Sequence, residues 1–443
     1  MAADRMEQLV SLCKQRGFIF PGSEAYGGLA GTLDYGPLGV ALKQNIKQAW
    51  WKRVVQERDD VVGLDAAILM HPQVWEASGH VAGFSDPMVD CRKCKARHRA
   101  DTLSPPGVCP QCGSEDLTDA RLVNMMFKTS VGPMEDSASV AYLRPETAQG
   151  IFVDFPSVLS VVRKKLPFGV AQIGKAFRNE ITPGQFLFRL REFEQMEVEY
   201  FVKPDAWEPA FDEWLRFMHE WLAVCGISES HVSFTEIPAS DRAHYSKRTV
   251  DIEYHYPFGQ KELYGLAYRT DYDLTRHAEV SKQDFSYFDE ETRERFIPHV
   301  IEPSLGVDRT VLAVLLEAYH EIEGGRTTTT ETTKEAEVVL KLPKELAPIK
   351  VAVLPLSKKA PLQERARDLT AQLRKRWMCQ YDEAGSIGKR YRRQDEIGTP
   401  YCITVDFDTA EDGKVTIRDR DSMAQERVAI EEVVAYVVDG LGA

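Results

Sequence analysis

The sequence predicts two folded units, an α+β domain over residues 1–340 and a small α/β domain over residues 348–443. Three observations carry this. Two long strand-like runs, 170–180 and 190–202, are joined by the short loop ITPGQFLFR. The stretch GGRTTTTETTKEAE at 324–337 is rich in Gly, Thr and charge without an apolar period, so it reads as a linker. Beyond it, buried-strand and amphipathic-helix patterns alternate, as they do in a small α/β domain with a largely parallel core.

The elements follow in order. A leading helix is expected over 1–23. The Gly-rich stretch SEAYGGLAGTLDYGPLG lacks the GxxxxGK[ST] order of a phosphate loop and reads as tight turns. It leads into a helix over 40–57 carrying Trp50-Trp51-Lys52-Arg53. Strand-like runs are expected at 61–70 and 122–128. The aromatics of 207–225 recur at helical spacing, a pattern of core packing more than of a binding stripe. Strands are expected at 250–256 and 262–268, and the run 296–304 enters an apolar helix over 307–321. In the second unit VAVLPL and YCITVDF read as buried strands, ERARDLTAQLRKR as an amphipathic helix and KVTIRDR as an exposed alternating strand. A helix over 425–438 closes the chain.

Hydrophobic residues make up 43% and charged residues 28% of the 443, which excludes a disordered chain. No stretch approaches the ~20 apolar residues of a membrane helix, and the N-terminus lacks the apolar core of a secretory signal. A cytoplasmic location is expected. The net charge is −13. From Pro348 onward there are 16 basic and 16 acidic residues, so the excess of acid lies wholly in the first unit. The second unit carries the basic run Lys389-Arg390-Tyr391-Arg392-Arg393, which is either a solvated face or a local phosphate-binding patch.

Four of the eight cysteines are spaced Cys91-x2-Cys94 and Cys109-x2-Cys112, within an insertion at about 88–120. Without disulfides, this pattern reads as a metal knuckle. Four thiolates suit tetrahedral zinc with no open position, the arrangement of a structural site.

The strand pair holds the densest chemistry. Residues two apart on a strand share a face. Ala176, Arg178 and Glu180 are therefore expected to point together, as are Arg191, Phe193, Gln195, Glu197 and Glu199, with Met196, Val198 and Tyr200 opposite. Such a charged face with an embedded aromatic is either solvent-exposed or a surface for a charged, planar ligand. In Glu302-Pro303-Ser304-Leu305-Gly306-Val307-Asp308-Arg309 a strand turns into a helix, whose start favours anions. Arg309 there is a phosphate clamp or part of an ordinary helix start.

AFRNE at 176–180 with the following FRLREFEQMEVEYF resembles motif 2 of class II aminoacyl-tRNA synthetases, and EPSLGVDR at 302–309 resembles their motif 3. YLRPETAQGIF at 142–152, RTDYDL at 269–274 and MVDCRKCKARHRAD at 88–101 are similar to the glycyl-tRNA synthetases of the bacterial homodimeric type. The likeness runs nearly end to end. It implies a catalytic domain with a central antiparallel sheet flanked by helices, then an anticodon-binding domain. The implied reaction activates glycine with ATP and transfers it to the 3′-terminal adenosine of the tRNA for glycine.

The resemblance also implies roles. Arg178 and Arg309 are the catalytic arginines, at the α-phosphate and near the γ-phosphate. The ATP site further takes Asn179, Glu180 at adenine, Phe188, Arg189, Leu190, Arg191 and Glu192, with Phe193 stacking on the base. Glu262 and Leu263 align with an ATP-contacting pair, Glu262 as a candidate Mg²⁺ ligand, and Gly306, Val307 and Asp308 complete the site. For glycine the aligned residues are Arg99, Glu146, Arg269, Glu302, Ser304 and Gly306, with the segment Phe193, Glu194, Gln195, Met196 and Glu197. Glu146, Glu197 and Glu302 surround the ammonium group, and Arg269 meets the carboxylate. A homodimer is implied as well. Relatives that have lost synthetase activity, such as polymerase accessory subunits, are expected to lack the motif arginines. The RPETAQG block argues against the prolyl and threonyl enzymes.

Overall fold

The computed structural model of the chain describes residues 2–133, 139–323 and 336–442. Its first domain is organised by one sheet of seven strands. In chain order these are β1 (Val61–Gly63), β2 (Phe168–Phe177), β3 (Glu192–Val202), β4 (Val232–Glu236), β5 (Arg248–Tyr256), β6 (Gly259–Thr270) and β7 (His299–Gly306). Across the sheet the order is β4-β5-β6-β7-β3-β2-β1. Every neighbouring pair is antiparallel except β1, which runs parallel to β2.

Helices α1 (Ala2–Arg16), α2 (Pro37–Trp51), α3 (Ala148–Val162), α4 (Trp207–Val224), α5 (Tyr272–Ser281) and α6 (Val307–Ala318) surround this sheet. Alternation along β3 decides what each face does. Met196, Val198 and Tyr200 enter the main core with Leu42, Ile46 and Trp50 of α2, the aromatics Phe211, Trp214 and Trp221 of α4, and most of α6. Burying each such side chain contributes roughly 1.5–3 kcal/mol. The other face carries Phe193, Gln195, Glu197, Glu199 and Phe201. Its far end is closed by Phe201 against Phe155 and Phe168, at 4.4 and 5.5 Å between rings, under α3 and α5. Its near end is open.

Several boundaries differ from expectation. The first helix stops at Arg16 because Gly17 takes a φ of 75° and the chain turns into a short strand, Ile19–Pro21. The run 61–70 is paired in the sheet only over Val61–Gly63. β2 ends at Phe177, so strand alternation does not govern Arg178 and Glu180. Instead the Arg178 amide donates to the Arg191 carbonyl and the Asn179 amide to the Met125 carbonyl. α6 ends at Ala318, because Tyr319–Ile322 pairs with Glu337–Leu340. Most of the expected linker, 324–335, lies outside the described residues. No helix among the described residues is long and apolar enough to cross a membrane.

The second domain comprises β8 (Val351–Pro355), α7 (Ala360–Leu373), β9 (Cys379–Tyr381), α8 (Ile387–Glu396), β10 (Tyr401–Val405), β11 (Lys414–Asp419), β12 (Gln425–Ala429) and α9 (Val433–Leu441). The sheet order is β9-β8-β10-β11-β12. Only β8 with β9 and β10 is parallel, and the remaining pairs are antiparallel, so the sheet is mixed. The last helix begins at Val433, since 425–429 pairs along β11 instead. A core of its own lies between this sheet, α7 and α9.

The basic run sits on α8, and only part of it is open to solvent. Arg390 is 3% exposed and donates to the Pro355 and Asp382 carbonyls. Arg393 pairs with Asp382 at 2.5 Å, and Arg392 with Glu396 at 3.3 Å. Arg390 and Arg393 thus tie the helix to its own domain, while the Lys389 side chain stays exposed.

Behind α8, Arg418 is 1% exposed and grips Asp395 with two parallel bonds of 2.9 and 2.8 Å. Removing one partner of such a pair leaves a buried charge alone. Asp395→Ala is expected to destabilise the protein by about 3–5 kcal/mol in urea unfolding, whereas breaking the exposed pair Lys165–Glu291 should leave stability nearly unchanged.

Candidate active site

The open end of the sheet face floors a cleft of about 520 Å³. β3 supplies Phe193, Gln195 and Glu197, and β7 supplies Glu302, Ser304 and Gly306. β6 adds Glu262, Leu263, Gly265, Ala267 and Arg269, and β5 adds Thr249 and Asp251. Register brings these together, because Glu197 lies opposite Ser304, and Ser304 opposite Gly265.

The deep end is acidic. Arg269 is 2% exposed, and both edges of its guanidinium are committed. Nε and Nη2 donate to the two oxygens of Asp273 at 2.8 and 2.9 Å, while Nη1 donates to those of Glu302 at 2.9 and 3.0 Å. Its flat face is covered by the Tyr245 ring, 3.8 Å from the centroid. Arg269, for which the resemblance implies the substrate carboxylate, here meets two carboxylates of its own chain. Two carboxylates hold the guanidinium well above its usual range against the opposing effect of burial.

Glu197 accepts from Ser304 Oγ at 2.6 Å, from Gln195 Nε2 at 2.7 Å and from Thr147 Oγ1. Burial and the neighbouring Glu146 push its carboxyl up. Burial pushes Glu302 up to about 8, against the pull of Arg269. Glu146 moves the other way. Burial alone would raise it, but the His80 imidazole holds its carboxyl well below the ordinary range. Its loop is anchored by Arg144, whose guanidinium donates to the Lys175 and Ala66 carbonyls at 2.6 and 2.7 Å. Gly174 leaves the room that this guanidinium occupies.

The shallow end is cationic and aromatic. Arg178 lies between the rings of Phe84 and Phe193, at 5.4 and 5.3 Å, and donates Nε to the Pro145 carbonyl at 3.0 Å. Arg309 lies over Phe188 at 4.4 Å, and its Nη1 donates to the Glu262 carbonyl at 2.8 Å and meets the Glu262 carboxylate at 3.3 Å. Glu180, Arg189, Leu190 and Leu263 complete this wall. Asp251 stands beside Glu262, and burial pushes its carboxyl up to about 6. A guanidinium backed by aromatic faces presents its N–H edge to an anion, while the ring of Phe193 offers a stacking surface.

Some expected site residues point elsewhere. Met196 is fully buried in the core on the other face of β3, and Val307 is fully buried at the start of α6. Arg191 donates to the Glu180 and Ala30 carbonyls, tying the motif 2 loop to the Gly-rich turns. Glu192 pairs with Lys175 at the surface, and Asn179 does not line the cleft. Asp308 reaches the cleft wall, yet its carboxylate accepts from Tyr35 at 2.5 Å, Lys43 at 3.1 Å and the Glu194 amide at 2.7 Å. Glu194 in turn pairs with Lys43 and Lys47 at 2.6 and 2.7 Å. These two acids brace α2 and α6 against β3. Conversely, Tyr245, Asp251 and Arg242 line the cleft without having been singled out from the sequence. Only their place beside a β5 strand pattern could have pointed to them.

The insertion forms a three-stranded sheet in the order Arg97–Arg99, Ser85–Asp90, Arg121–Asn124. Two matched turns carry its cysteines. The amide four residues after Cys91 and after Cys109 returns to that cysteine's carbonyl, and Lys95 and Gly113 both take positive φ. The four sulfurs of Cys91, Cys94, Cys109 and Cys112 lie within 4.8 Å of one another, and all four are reduced. That spacing fits a tetrahedral thiolate site. Arg99 leaves the same small sheet to reach the cleft, held by Asp101 at 2.7 Å and Asp86 at 3.2 Å.

Comparison with known proteins matches residues 127–319 to the family model for the tRNA synthetase class II core domain (G, H, P, S and T). Residues 350–439 match the anticodon binding domain. The chain is 55% identical to a glycine–tRNA ligase of Geobacillus thermodenitrificans, over 98% of this chain and 97% of that one. It is 52% identical to a glycine–tRNA ligase of Thermobifida fusca, over 99% and 98%, and 53% identical to one of Clostridium perfringens over the whole of both chains.

The acidic end depends on Arg269 for its stability. Arg269→Leu strands Asp273 and Glu302 without a counter-charge and is expected to cost about 3–5 kcal/mol in urea unfolding. Adding Asp273→Asn to that variant should recover part of the loss; no recovery would show that the pair is not coupled.

Proposed function

The chain belongs to the glycine–tRNA ligases, enzymes of the class II tRNA synthetase family, and from this premise we propose which of its residues carry the reaction. The cleft joins glycine to ATP as glycyl-adenylate, and glycine then passes to the 3′-terminal adenosine of its tRNA. One observation carries the reading. A pocket of three carboxylates suited to an ammonium group and a pair of aromatic-backed arginines suited to phosphates lie at opposite ends of one cleft.

Glycine enters with its ammonium toward Glu146, Glu197 and Glu302, beside Ser304. Its carboxylate lies toward Arg178, where an oxygen attacks the α-phosphorus of ATP and pyrophosphate leaves. No protein base is needed, because a carboxylate is already a nucleophile; positioning and charge stabilisation suffice. Arg178 faces the charge that grows on the α-phosphate, and Arg309 the γ-phosphate. Phe193 stacks on adenine, with Glu180 at the base edge. Magnesium, when bound with ATP, neutralises adjacent phosphates, and Glu262, with Asp251 beside it, is the carboxylate that would hold it on that wall. In the second step the terminal ribose hydroxyl attacks the adenylate carbonyl and AMP leaves. The domain at 350–439 takes the anticodon end of the tRNA. The homodimer and the cytoplasmic setting that the resemblance implies belong to the same proposal.

Selectivity follows from size. No amino acid is smaller than glycine, so the pocket need only exclude. Discriminating against a single missing methylene yields only ~1–3 kcal/mol, a difficulty that a glycine enzyme does not meet.

Pyrophosphate exchange should depend on glycine and on no other amino acid. Fixed donors aimed at developing charge typically contribute 10²–10³-fold, so Arg178→Ala should lower kcat for exchange by about that factor. Exchange with every amino acid absent, or an Arg178→Ala variant as fast as the parent, would sink the assignment.

We assign zinc to the four cysteines, as a structural ion that fixes the sheet carrying Arg99. Elemental analysis should find about one zinc per chain, and Cys112→Ser should lose it and lower Tm. Metal-free protein with an unchanged Tm would refute this.

A further inference from the structure

Behind the ammonium pocket, outside its walls, lies His80. Its Nε2 stands 3.3 Å from Oε2 of Glu146, with the two side chains 14% and 15% exposed. We infer that His80 is a positioning residue that holds the Glu146 carboxylate for the substrate's ammonium group, and so sets glycine affinity without touching glycine. This rests on the reading of Glu146 as an ammonium ligand.

The ring is fixed on every side. Trp75 meets it edge-on, with centroids 5.6 Å apart at 84°, and Phe84 packs at 5.4 Å. Nδ1 lies 2.8 Å from Ser78 Oγ, which is itself 3.4 Å from the Trp75 carbonyl. With Ser78 Oγ on Nδ1, the Nε2 side of the ring is directed at the Glu146 carboxylate, which favours a hydrogen on that nitrogen. The backbone is held too, because Asn124 Nδ2 donates to the His80 and Val81 carbonyls at 3.1 and 2.9 Å.

Glu146 is the carboxylate in the pocket that needs such a partner. Glu302 faces Arg269 with both oxygens, and Glu197 takes three donors. Apart from the imidazole, Glu146 is held by the Gln149 amide at 3.0 Å on Oε1. With Arg269 already balancing charge on Glu302, Glu146 is the anion left for an incoming ammonium. A buried carboxylate between two others takes up a proton unless a donor favours its charged form, and then it repels the ligand it should bind.

The test is pyrophosphate exchange with the full-length protein. Hydrogen bonds to charged groups contribute about 1.5–3 kcal/mol, so His80→Leu should raise KM for glycine about 10-fold or more. KM for ATP and kcat at saturating glycine should stay within about twofold. His80→Gln, which keeps an N–H near the Nε2 position, should recover most of the affinity. In a Glu146→Gln background His80→Leu should add nothing, since a residue acting through another loses its effect with it. A parent-like KM in His80→Leu, or full additivity in the double variant, overturns the inference. If His80→Leu does not fold, Ser78→Ala, which only releases the ring, should raise KM for glycine alone, and an unchanged KM there overturns it equally. A Glu146→Gln variant with parent affinity would instead remove the underlying assignment of Glu146.

Discussion

One buried guanidinium organises the active cleft. Arg269 lies in the interior, where an isolated charge costs several kcal/mol even after relaxation. It is tolerable because four hydrogen bonds to Asp273 and Glu302 occupy two edges and Tyr245 covers the face. The cation in turn lets carboxylates collect around it. Gln149 Nε2 donates to both Asp273 and Glu146, at 3.1 and 3.0 Å, and its Oε1 accepts from His277 Nε2 at 2.8 Å. A connected polar network thus runs from Glu302 through Arg269, Asp273 and Gln149 to Glu146. Such a network is stable only when its members are satisfied together, which makes the pocket's shape a property of the whole set.

The sheet makes this possible. Antiparallel pairing of β6, β7 and β3 sets Arg269, Glu302 and Glu197 side by side although they are far apart in sequence. The opposite face of the same strands is apolar and packed under α2, α4 and α6. A charged row can therefore sit over a rigid core, and Glu197 and Glu302 are held where paired strands put them. The insertion and the loop carrying Tyr245 then close over an already formed floor.

Much of this was legible in the residues. Alternation on 192–202 separated Phe193, Gln195 and Glu197 from Val198 and Tyr200, and the same rule turns Met196 into the core even though motif likeness had placed it with the substrate residues. The CxxC pairs announced a four-sulfur cluster, since only spacing is needed to bring thiols together on paired turns. The aromatics of 207–225 did pack as core. Where pattern failed, a neighbour had intervened. The segment 425–429 runs into the closing helix in sequence, but it completes the sheet beside β11. Arg390 reads as a surface charge until Pro355 and Asp382 supply buried carbonyls for it.

By itself, then, the sequence determined the strand pair and the cysteine cluster, because these depend on local periodicity and spacing. Only the tertiary structure decided which charges are available. Arg269 and Asp308 look alike as candidates along the chain, yet each is committed to partners from distant segments. Whether an ionisable side chain binds a substrate or its own protein is set by what lies across the cleft, and that contact exists only once the strands have paired.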